Sequence, residues 1–329
     1  MKKILYFFSI FLLPFTSTAQ NDVELFVNDM LLIADNFAEP AAEGASYLSG
    51  AGWFSSAKDL ELWELEVSVL GNVLFVPEKK KSTDITNSDY RTFDIQGGQS
   101  ANIPTAFGGS TDVVFEGEIL GNQFEFDAIE GVNKSVLAHP FFQGSVGLPY
   151  GTDLTVRFLP SVNIDDVAFS TYGVGLKHNF NQYFFNSQPN DFQFAAMVAY
   201  SKYDVDYEFV PLLVEYEILN EQRVALEMDQ IEVDANLFLF QVLTSKTFFD
   251  SGWEIFGALG VSSSSIGYVA GGGGDFLGQM NSALETLDEN NFEFKGDVGL
   301  SYQISNFKLS SMISAGKFFN ANLGLHVRI

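Results

Sequence analysis

The chain has 329 residues, 47% of them hydrophobic and 15% aromatic, and its 42 acidic residues against 17 basic ones give a formal charge of −25. This acidic balance excludes nucleic acid as an expected partner, because nucleic-acid binding needs clustered lysine and arginine. The absence of cysteine excludes a disulfide framework and a lipid-modified cysteine near the N-terminus.

The first residues have the pattern of a secretory signal peptide. Lys2 and Lys3 precede an apolar run over residues 4–15, and small residues follow at Ser17 and Ala19. This run is shorter than the roughly 20 apolar residues that a membrane-spanning helix needs. We therefore predict a signal peptide over residues 1–19 and a protein that leaves the cytosol.

The next stretch has a helical period. From Asp22 onward, apolar residues recur at three- and four-residue spacing, and Pro40 follows the last of them. The pattern predicts one amphipathic helix over residues 22–38, within an N-terminal helical segment of residues 20–59.

From about Leu60 the apolar period changes to two. In LWELEVSVLGNVLFV, Trp63 and Phe75 lie on one face, while Glu64 and Glu66 lie on the other. The two aromatic residues are separated by roughly 40 Å along a strand, which spans a bilayer at the ~40° tilt of barrel strands. Strands of soluble sandwiches are nearer five or six residues long. Similar alternation recurs over residues 153–164, 170–184, 191–205, 232–249, 252–269, 291–305, 307–316 and 318–329.

This alternation predicts an all-β fold, a transmembrane antiparallel β-barrel over residues 60–329, because charged residues that cannot face lipid must face a lumen. After the signal, no uncharged apolar run approaches ~20 residues, which excludes spanning helices. The predicted location is the outer membrane, after the signal peptide is cleaved. The helix of residues 22–38 then lies in the periplasm or folds into the lumen as a plug.

The connections between these segments fit that topology. Residues 248–252 and 304–307 are short, as periplasmic turns are, while residues 204–223 and 270–291 are long and acidic, as outer loops are. Residues 78–151 fit either spanning strands or one large outer loop. We therefore expect about 12 strands, with 10 and 14 as alternatives.

The last segment, FFNANLGLHVRI, predicts a complete strand that closes the barrel against the first. A closed barrel leaves no free edge in lipid, so both terminal strands need full pairing. The alternation turns Asn320, Asn322 and His326 inward. The lipid-facing residues are the predicted signal for the barrel assembly machinery: Phe319, Leu323, Leu325, Val327 and Ile329.

Two stretches, SGAGWFSSAKDLELWELEVSVLGNVLFVPEKKK (49–81) and HPFFQGSVGLPYGTDLTVRFLPSVNIDDVAFSTYGVGLKHNFNQY (139–183), carry a family resemblance. They resemble an uncharacterised, domain-of-unknown-function family of Gram-negative outer-membrane barrels. Its members have a comparable Gly-Trp-aromatic start and VGLPxGT, VRFLP and GxGxKHxxxQ segments. The layout is similar to that of FadL-like transporters of hydrophobic compounds, which pair an N-terminal plug with a barrel. The chain departs from the usual terminal Phe by ending in Ile329.

Charged residues in the polar phase of the strands are candidates for lining the lumen. Either they form a structural ion-pair network, or they line a substrate path. Pro160 cannot donate to a strand ladder, so it marks either a strand end or a kink that opens the wall laterally, as the FadL resemblance implies. The lumen candidates are Glu64, Glu66, Arg157, Lys177, Lys295 and Asp297.

Catalysis is not expected. His139, His178 and His326 lie in three distant segments, whereas a hydrolase needs a histidine beside its nucleophile. We expect no enzyme activity, no cofactor and no dedicated metal site. Carboxylates of the acidic loops are expected to be solvated, with a bridging divalent cation as the alternative.

Two functions remain. The first is passive transport of small molecules, hydrophobic ones included, across the outer membrane. The second is a scaffold, or a secretion and surface-display partner, in which the acidic loops form the outer face. The expected partners are outer-membrane lipid, lipopolysaccharide, the barrel assembly machinery and a small hydrophobic ligand.

Overall fold

A closed β-barrel of ten antiparallel strands dominates the structure. The computed structural model describes residues 15–164, 167–184, 191–248, 251–287 and 289–329. The helices are α1 (Phe15–Ser49), α2 (Asn181–Phe184) and α3 (Leu277–Leu284). The strands are β1 (Leu65–Phe75), β2 (Ser82–Thr86), β3 (Phe93–Ile95), β4 (Ser100–Pro104), β5 (Val114–Ile119), β6 (Asn122–Asp127), β7 (Val136–Leu148), β8 (Thr152–Ile164), β9 (Val167–Asn179), β10 (Phe192–Ile218), β11 (Glu221–Phe248), β12 (Trp253–Gly273), β13 (Glu289–Ile304), β14 (Phe307–Ala315) and β15 (Phe319–Arg328).

The barrel consists of β1 and β7 to β15, each paired with its neighbours. Its seam joins β15 to β1 in a continuous register from Glu66–Arg328 to Phe75–Phe319. Beyond the strand, Leu65 and Ile329 exchange backbone hydrogen bonds of 3.1 and 2.8 Å. The prediction that the last segment closes the barrel is therefore confirmed.

The wall is apolar outside and polar inside. On β15, Leu323 and Leu325 are exposed on the outer face, whereas Asn320, Asn322 and His326 are buried on the inner face. An apolar exterior around a polar interior is the pattern of a transmembrane barrel. The fold class predicted from the alternation is confirmed.

Among the residues that the structure describes, no helix is both long enough and apolar enough to cross a membrane.

The expected strand number of about 12 is wrong and the alternative of 10 is correct, because residues 82–127 do not enter the barrel. They form two small sheets, β2 with β4 and β3 with β5 and β6. These strands have three to six residues, short of the ~9–11 that cross a bilayer. Of the strands described within residues 78–151, β7 is the one that belongs to the barrel.

The predicted outer loop of residues 204–223 is also not a loop. β10 and β11 continue through it as a paired hairpin, which turns at Leu219 and Asn220 with φ of 52° and 62°. Two successive residues with positive φ make the tight turn that matches the twist of a hairpin. The two strands are 27 and 28 residues long and therefore extend well beyond a bilayer.

The barrel has two unlike ends. We call one the turn end, because it carries the short connections after β7, β11 and β13 together with the start of β1 and the end of β15. The other end carries an outer domain formed by β2 to β6, α3, the first half of α1 and the extensions of β10 to β12.

The outer domain has its own hydrophobic core. On α1, Phe26, Met30 and Phe37 are at most 2% exposed, and Phe26 packs edge-on against Phe124 of β6 at 5.6 Å. Asp29 of α1 accepts two backbone hydrogen bonds, from residues 91 and 92, at 2.8 and 2.7 Å. Helix and sheets are therefore fixed to each other outside the barrel wall.

A hydrogen bond to Asp275 also fixes the start of α3 in the outer domain. Tyr216 donates a hydrogen bond of 2.7 Å to Asp275, the residue that precedes α3 by two positions. This hydrogen bond, with Arg223 at 3.3 Å, lowers the pKa of the Asp275 carboxyl below its usual value. The contact favours the ionised carboxylate at neutral pH.

The helix predicted over residues 22–38 is longer at both ends and spans Phe15–Ser49. Pro40, expected to follow the helix, lies within it. Proline removes one helical hydrogen bond, but tertiary packing overrides local propensity where a whole segment is buried. The predicted signal peptide lies mostly outside the described residues and stays a prediction.

Candidate functional site

The lumen is occupied by the chain that leads from α1 into β1. Burial along α1 alternates up to residue 41, and then every residue from Ala42 to Ala57 is buried. We call residues 42–57 the plug segment. At its far side, the Leu60 amide donates to Asp153 at 3.0 Å and the Trp63 amide to the Gly147 carbonyl at 2.9 Å, both near the turn end. The chain is thus threaded through the barrel.

Two cations of the barrel wall bind the end of α1. Arg157 of β8 donates to the Ser49 carbonyl at 3.0 Å, and Lys295 of β13 donates to the Gly50 carbonyl at 2.8 Å. The last carbonyls of a helix have no partner within the helix and carry the negative end of its dipole. The wall therefore neutralises the helix terminus that lies inside the lumen.

The guanidinium of Arg157 is also held between two rings. It lies 4.0 Å from the ring centroids of both Trp53 in the plug segment and Phe141 in β7. Cation–π contacts strengthen when water is excluded, and Arg157 is 2% exposed. Arg157 thus joins the plug segment to two barrel strands.

A third cation binds the plug segment where it leaves the lumen. Lys177 of β9 donates to the carbonyls of Ser56 and Lys58 at 3.1 and 2.6 Å and pairs with Asp153 at 2.9 Å. Asn179 donates to the Ala57 carbonyl at 2.9 Å. Side chains of β9 thus donate to the backbone carbonyls of residues 56–58 the hydrogen bonds that a β-ladder would otherwise provide.

Glu43, which we did not identify from the sequence, holds the plug at the outer-domain end. Its carboxylate is 1% exposed and pairs with Lys80 at 2.5 Å and with Lys317. A buried carboxylate needs such partners, since an unpaired one is strongly destabilising. The sequence did not indicate Glu43 because this residue lies in a helix, where strand alternation cannot mark a residue as facing the lumen.

A separate ionic cluster lies inside the seam. Glu66 of β1 pairs with Lys308 of β14 at 3.0 Å and with Arg328 of β15 at 2.9 Å. His326 lies 3.4 Å from the same carboxylate and has Ser68 and Ser310 at 2.7 and 2.8 Å from its two ring nitrogens. A hydroxyl, an imidazole and a carboxylate thus meet, but His326 is 2% exposed. The contacts join the three strands that close the barrel.

The structure places the predicted lumen residues in different groups. Arg157, Lys177 and Lys295 bind the plug segment, and Asp297 pairs with Lys295 at 3.4 Å and with Gln241. Glu66 belongs to the seam. Glu64 directly precedes β1 and accepts a hydrogen bond from the Glu61 amide at 3.0 Å. It therefore lies at the turn end of the barrel.

Little space remains around these groups at the turn end. A pocket of about 30 Å³, lined in part by Trp53, Lys308 and Asp153, is the size of roughly one water molecule. Within the described ranges, no cluster of histidine, aspartate or glutamate side chains has the arrangement of a metal site. The buried plug segment thus occupies the lumen beside these groups.

Pro160 lies within β8 rather than at its end. Pairing of β8 with β9 slips between Leu159 and Val162. In the part of the chain that the structure describes, pairing of β8 with β7 stops at Phe142–Phe158, although β7 continues to Val136. Residues 136–141 of β7 pair with β1, and residues 159 and 162–164 of β8 pair with β9, but the two stretches do not pair with each other. We call residues 136–141 of β7 and 159–164 of β8 the wedge. Proline also occupies position 140, so both strands of the wedge lack an amide donor at one position.

The assembly-signal candidates of β15 lie on the outer face of the barrel. Phe319 is 44% exposed and packs against Phe75 at 5.6 Å between ring centroids. Their recognition by assembly machinery stays a prediction.

Several solved outer-membrane proteins are weakly similar in structure. Ail, the attachment invasion locus protein of Yersinia pestis, is 8% identical, with 82% of this chain and 99% of that chain covered and a TM-score of 0.27. OmpT, an outer membrane protein of Vibrio cholerae, gives 9% identity, 84% and 99% coverage and a TM-score of 0.22. DcaP, an outer membrane channel of Acinetobacter baumannii, is 10% identical, with 83% of this chain and 100% of that chain covered and a TM-score of 0.22.

At such TM-scores these likenesses carry no argument about the function of this chain. None of the curated proteins matches it in sequence. The likeness to FadL-like transporters stays a prediction. The resemblance to an uncharacterised family is confirmed over the full length: the chain belongs to the family of unknown function DUF6588, whose family profile matches residues 1–329.

Proposed function

We propose that this protein is an outer-membrane barrel that displays its outer domain on the cell surface, with the turn end in the periplasm. The plug segment is the observation that carries the proposal. A passive pore needs a continuous water path, whereas here sixteen consecutive buried residues occupy the lumen. The barrel then serves as an anchor and the outer domain as the working part.

The contacts of the plug segment support a permanent closure. A hydrogen bond to a charged group is worth about 1.5–3 kcal/mol, and Arg157, Lys177 and Lys295 each make at least one to the plug segment or its exit. The same helix then continues into the core of the outer domain. Release of the plug would therefore also disrupt that domain.

The threading predicts where the N-terminal helix is exposed. Glu24 is exposed at the outer-domain end of α1, Ser46 is buried in the plug segment and Tyr150 is exposed in the turn after β7. Since the chain has no cysteine, single cysteines at these positions report on their own surroundings. We expect a membrane-impermeant maleimide to label Glu24→Cys on intact cells, and Tyr150→Cys only after the outer membrane is permeabilised.

Ser46→Cys is the matched control for the lumen and should stay unlabelled until the protein is denatured. Labelling of Tyr150→Cys but not Glu24→Cys on intact cells would reverse the orientation and remove surface display. Equal labelling of Ser46→Cys and Glu24→Cys in folded protein would show that the lumen is open.

Passage of small hydrophobic molecules through the wall is the second candidate, and the wedge favours it. Backbone groups that are unpaired in lipid cost several kcal/mol each. The interruption of the ladder between β7 and β8 within the barrel wall therefore suggests a functional role that offsets this cost. Apart from the Arg157 guanidinium stacked on Phe141, its inner side is apolar and aromatic: Phe141 and Leu159 are buried, and the His139 ring lies 5.0 Å from that of Phe169. Such a lining suits an apolar solute better than an ion.

Substitution of Pro160 by Val tests this candidate. Valine can donate to a ladder and favours strands, so the wedge should narrow and uptake of a hydrophobic fluorescent dye by intact cells should fall several-fold. Pro211→Val is the control, because Pro211 interrupts β10 at a register shift in the extended hairpin. Unchanged dye uptake in a normally assembled Pro160→Val protein would eliminate transport through the wedge.

A further inference from the structure

The plug segment meets two unlike sides of the barrel. On one side the contact is apolar, because Trp53 and Phe54 share a buried hydrophobic cluster with residues of β10, β11 and β12. On the other side, β13, β14 and β15 turn polar side chains toward the plug segment. Three of these, Asp297, Ser314 and Asn320, are at most 2% exposed.

These three side chains are neighbours across the strands. Asp297 lies opposite Ser314 in the ladder of β13 and β14, and Ser314 lies opposite Asn320 in the ladder of β14 and β15. Residues directly opposite on one face have Cβ atoms about 4.5–5.5 Å apart. Tyr47 of the plug segment covers the same face, since its hydroxyl lies 3.2 Å from the position that a Cβ would take at Gly316, two residues after Ser314. We call Tyr47, Asp297, Ser314 and Asn320 the polar cluster.

All four side chains of the polar cluster have buried polar atoms without a hydrogen bond. Within the ranges that the structure describes, no hydrogen-bond partner is present for the Tyr47 hydroxyl, the Ser314 hydroxyl, the nitrogen and oxygen of the Asn320 amide, or Oδ1 of Asp297. Buried polar groups of folded proteins are almost always hydrogen-bonded, either to protein or to ordered water. Five such atoms on one contact surface therefore indicate a binding site.

The charges beside the polar cluster are already balanced. Three carboxylates pair with three ammonium groups: Lys295 with Asp297, Lys80 with Glu43, and Lys317 with both Glu43 and Glu293. An added cation or anion would bring an uncompensated charge into a buried site, which is strongly unfavourable. The Asn320 amide also presents a donor and an acceptor together. The ligand that fits is neutral and both donates and accepts hydrogen bonds.

We propose that the polar cluster binds ordered water molecules, which join the plug segment to β13, β14 and β15. Water bridges polar atoms that are too far apart for a direct hydrogen bond. A buried water makes about three hydrogen bonds to groups that would otherwise be unsatisfied, so the cluster has room in its bonding for roughly two waters. The plug segment is then held on this side through water as well as through Lys295. This inference does not depend on which end of the barrel faces the cell exterior.

Contact between Asn320 and water can be measured by solid-state NMR of the full-length protein in lipid bilayers. We expect magnetisation to pass from water to the Asn320 side-chain amide several-fold faster than to the side-chain amide of Asn322. Asn322 is the matched control, because it is also buried on β15 but donates directly to Asn72. Equally slow transfer to both amides in the folded protein would overturn the proposal.

Removal of one hydroxyl provides a second test. Tyr203→Phe is the control, because the Tyr203 hydroxyl donates directly to the Ala42 carbonyl at 3.1 Å. If water binds Tyr47, Tyr47→Phe also loses a hydrogen bond, and both variants should lower the midpoint of heat-induced unfolding on gels by similar amounts. An unchanged or raised midpoint in Tyr47→Phe alone would overturn the proposal. A wild-type midpoint that rises with sodium chloride but not with equal choline chloride would also overturn it, since a cation would then occupy the site.

Discussion

Truncation of Val327–Ile329 is expected to abolish assembly of the barrel. These residues provide the last pairs of both ladders of β15, Arg328 with Glu66 on β1 and Val327 with Phe307 on β14. Their loss would leave backbone groups of β1 and β14 unpaired at the barrel wall, at several kcal/mol for each group in lipid. Heat-dependent migration of the folded barrel on gels, measured on the membrane fraction, reports the outcome.

The truncation also removes a partner of the seam cluster. Arg328 lies 2.9 Å from Glu66, and its loss leaves that buried carboxylate with Lys308 as the cation it is paired with. Ile329→Ala tests the contribution of the apolar terminal side chain alone, because this variant keeps the backbone hydrogen bonds between residue 329 and Leu65. Normal assembly of Ile329→Ala with failure of the truncation supports the seam. Normal membrane insertion of the truncated protein would contradict it.

Removal of the plug is expected to convert a closed barrel into an open one. Deletion of residues 20–57 removes α1 from its sixth residue onward together with the plug segment, and it leaves all ten barrel strands intact. Ten strands enclose a lumen wider than the ~8-stranded size that side chains alone fill. We expect a steady single-channel conductance from this variant in planar bilayers.

A milder variant avoids the loss of the outer-domain core. Arg157→Ala combined with Lys295→Ala removes both cations that bind the end of α1. At about 1.5–3 kcal/mol for each lost hydrogen bond, the open fraction should rise on the order of 100-fold or more. Lys202→Ala is the control, because Lys202 pairs with Asp234 of β11 rather than with the plug segment. A silent double variant, properly folded, would show that these cations do not hold the plug.

Strand alternation predicted the barrel wall because its physical cause is local. On β13, Lys295 and Asp297 alternate with Phe294 and Val298, and only one register satisfies lipid outside and a polar lumen inside. The same reasoning placed Arg157 and Lys177 in the lumen. It could not name their partners, since the backbone carbonyls of the plug segment carry no sequence signal.

Alternation failed where a strand does not face lipid. Phe93 and Phe115 alternate with polar residues because they face the core of the outer domain, so their period equals that of a spanning strand. The length and acidity of residues 204–223 predict an outer loop, because these features are typical of outer loops. These residues instead form strands that extend β10 and β11 past the lipid-facing part of the wall, with the Tyr216 side chain buried on the inner face.

The direction of threading could not be predicted from the sequence. The spacing of Phe26, Met30 and Phe37 predicts a buried helix face but does not say which end of the barrel covers it. Pro40 suggested a helix end, although burial from Ala42 onward sustains the helix into the lumen. Both features depend on contacts with residues more than 50 positions away, such as Phe124 and Arg157.

The most direct test of the plugged barrel is the ionic conductance of the full-length wild-type protein in a planar lipid bilayer. Complete burial of residues 42–57 predicts that folded, inserted wild-type protein is silent, while the variant without residues 20–57 conducts. A steady conductance of wild type equal to that of the deletion variant would contradict a sealed lumen.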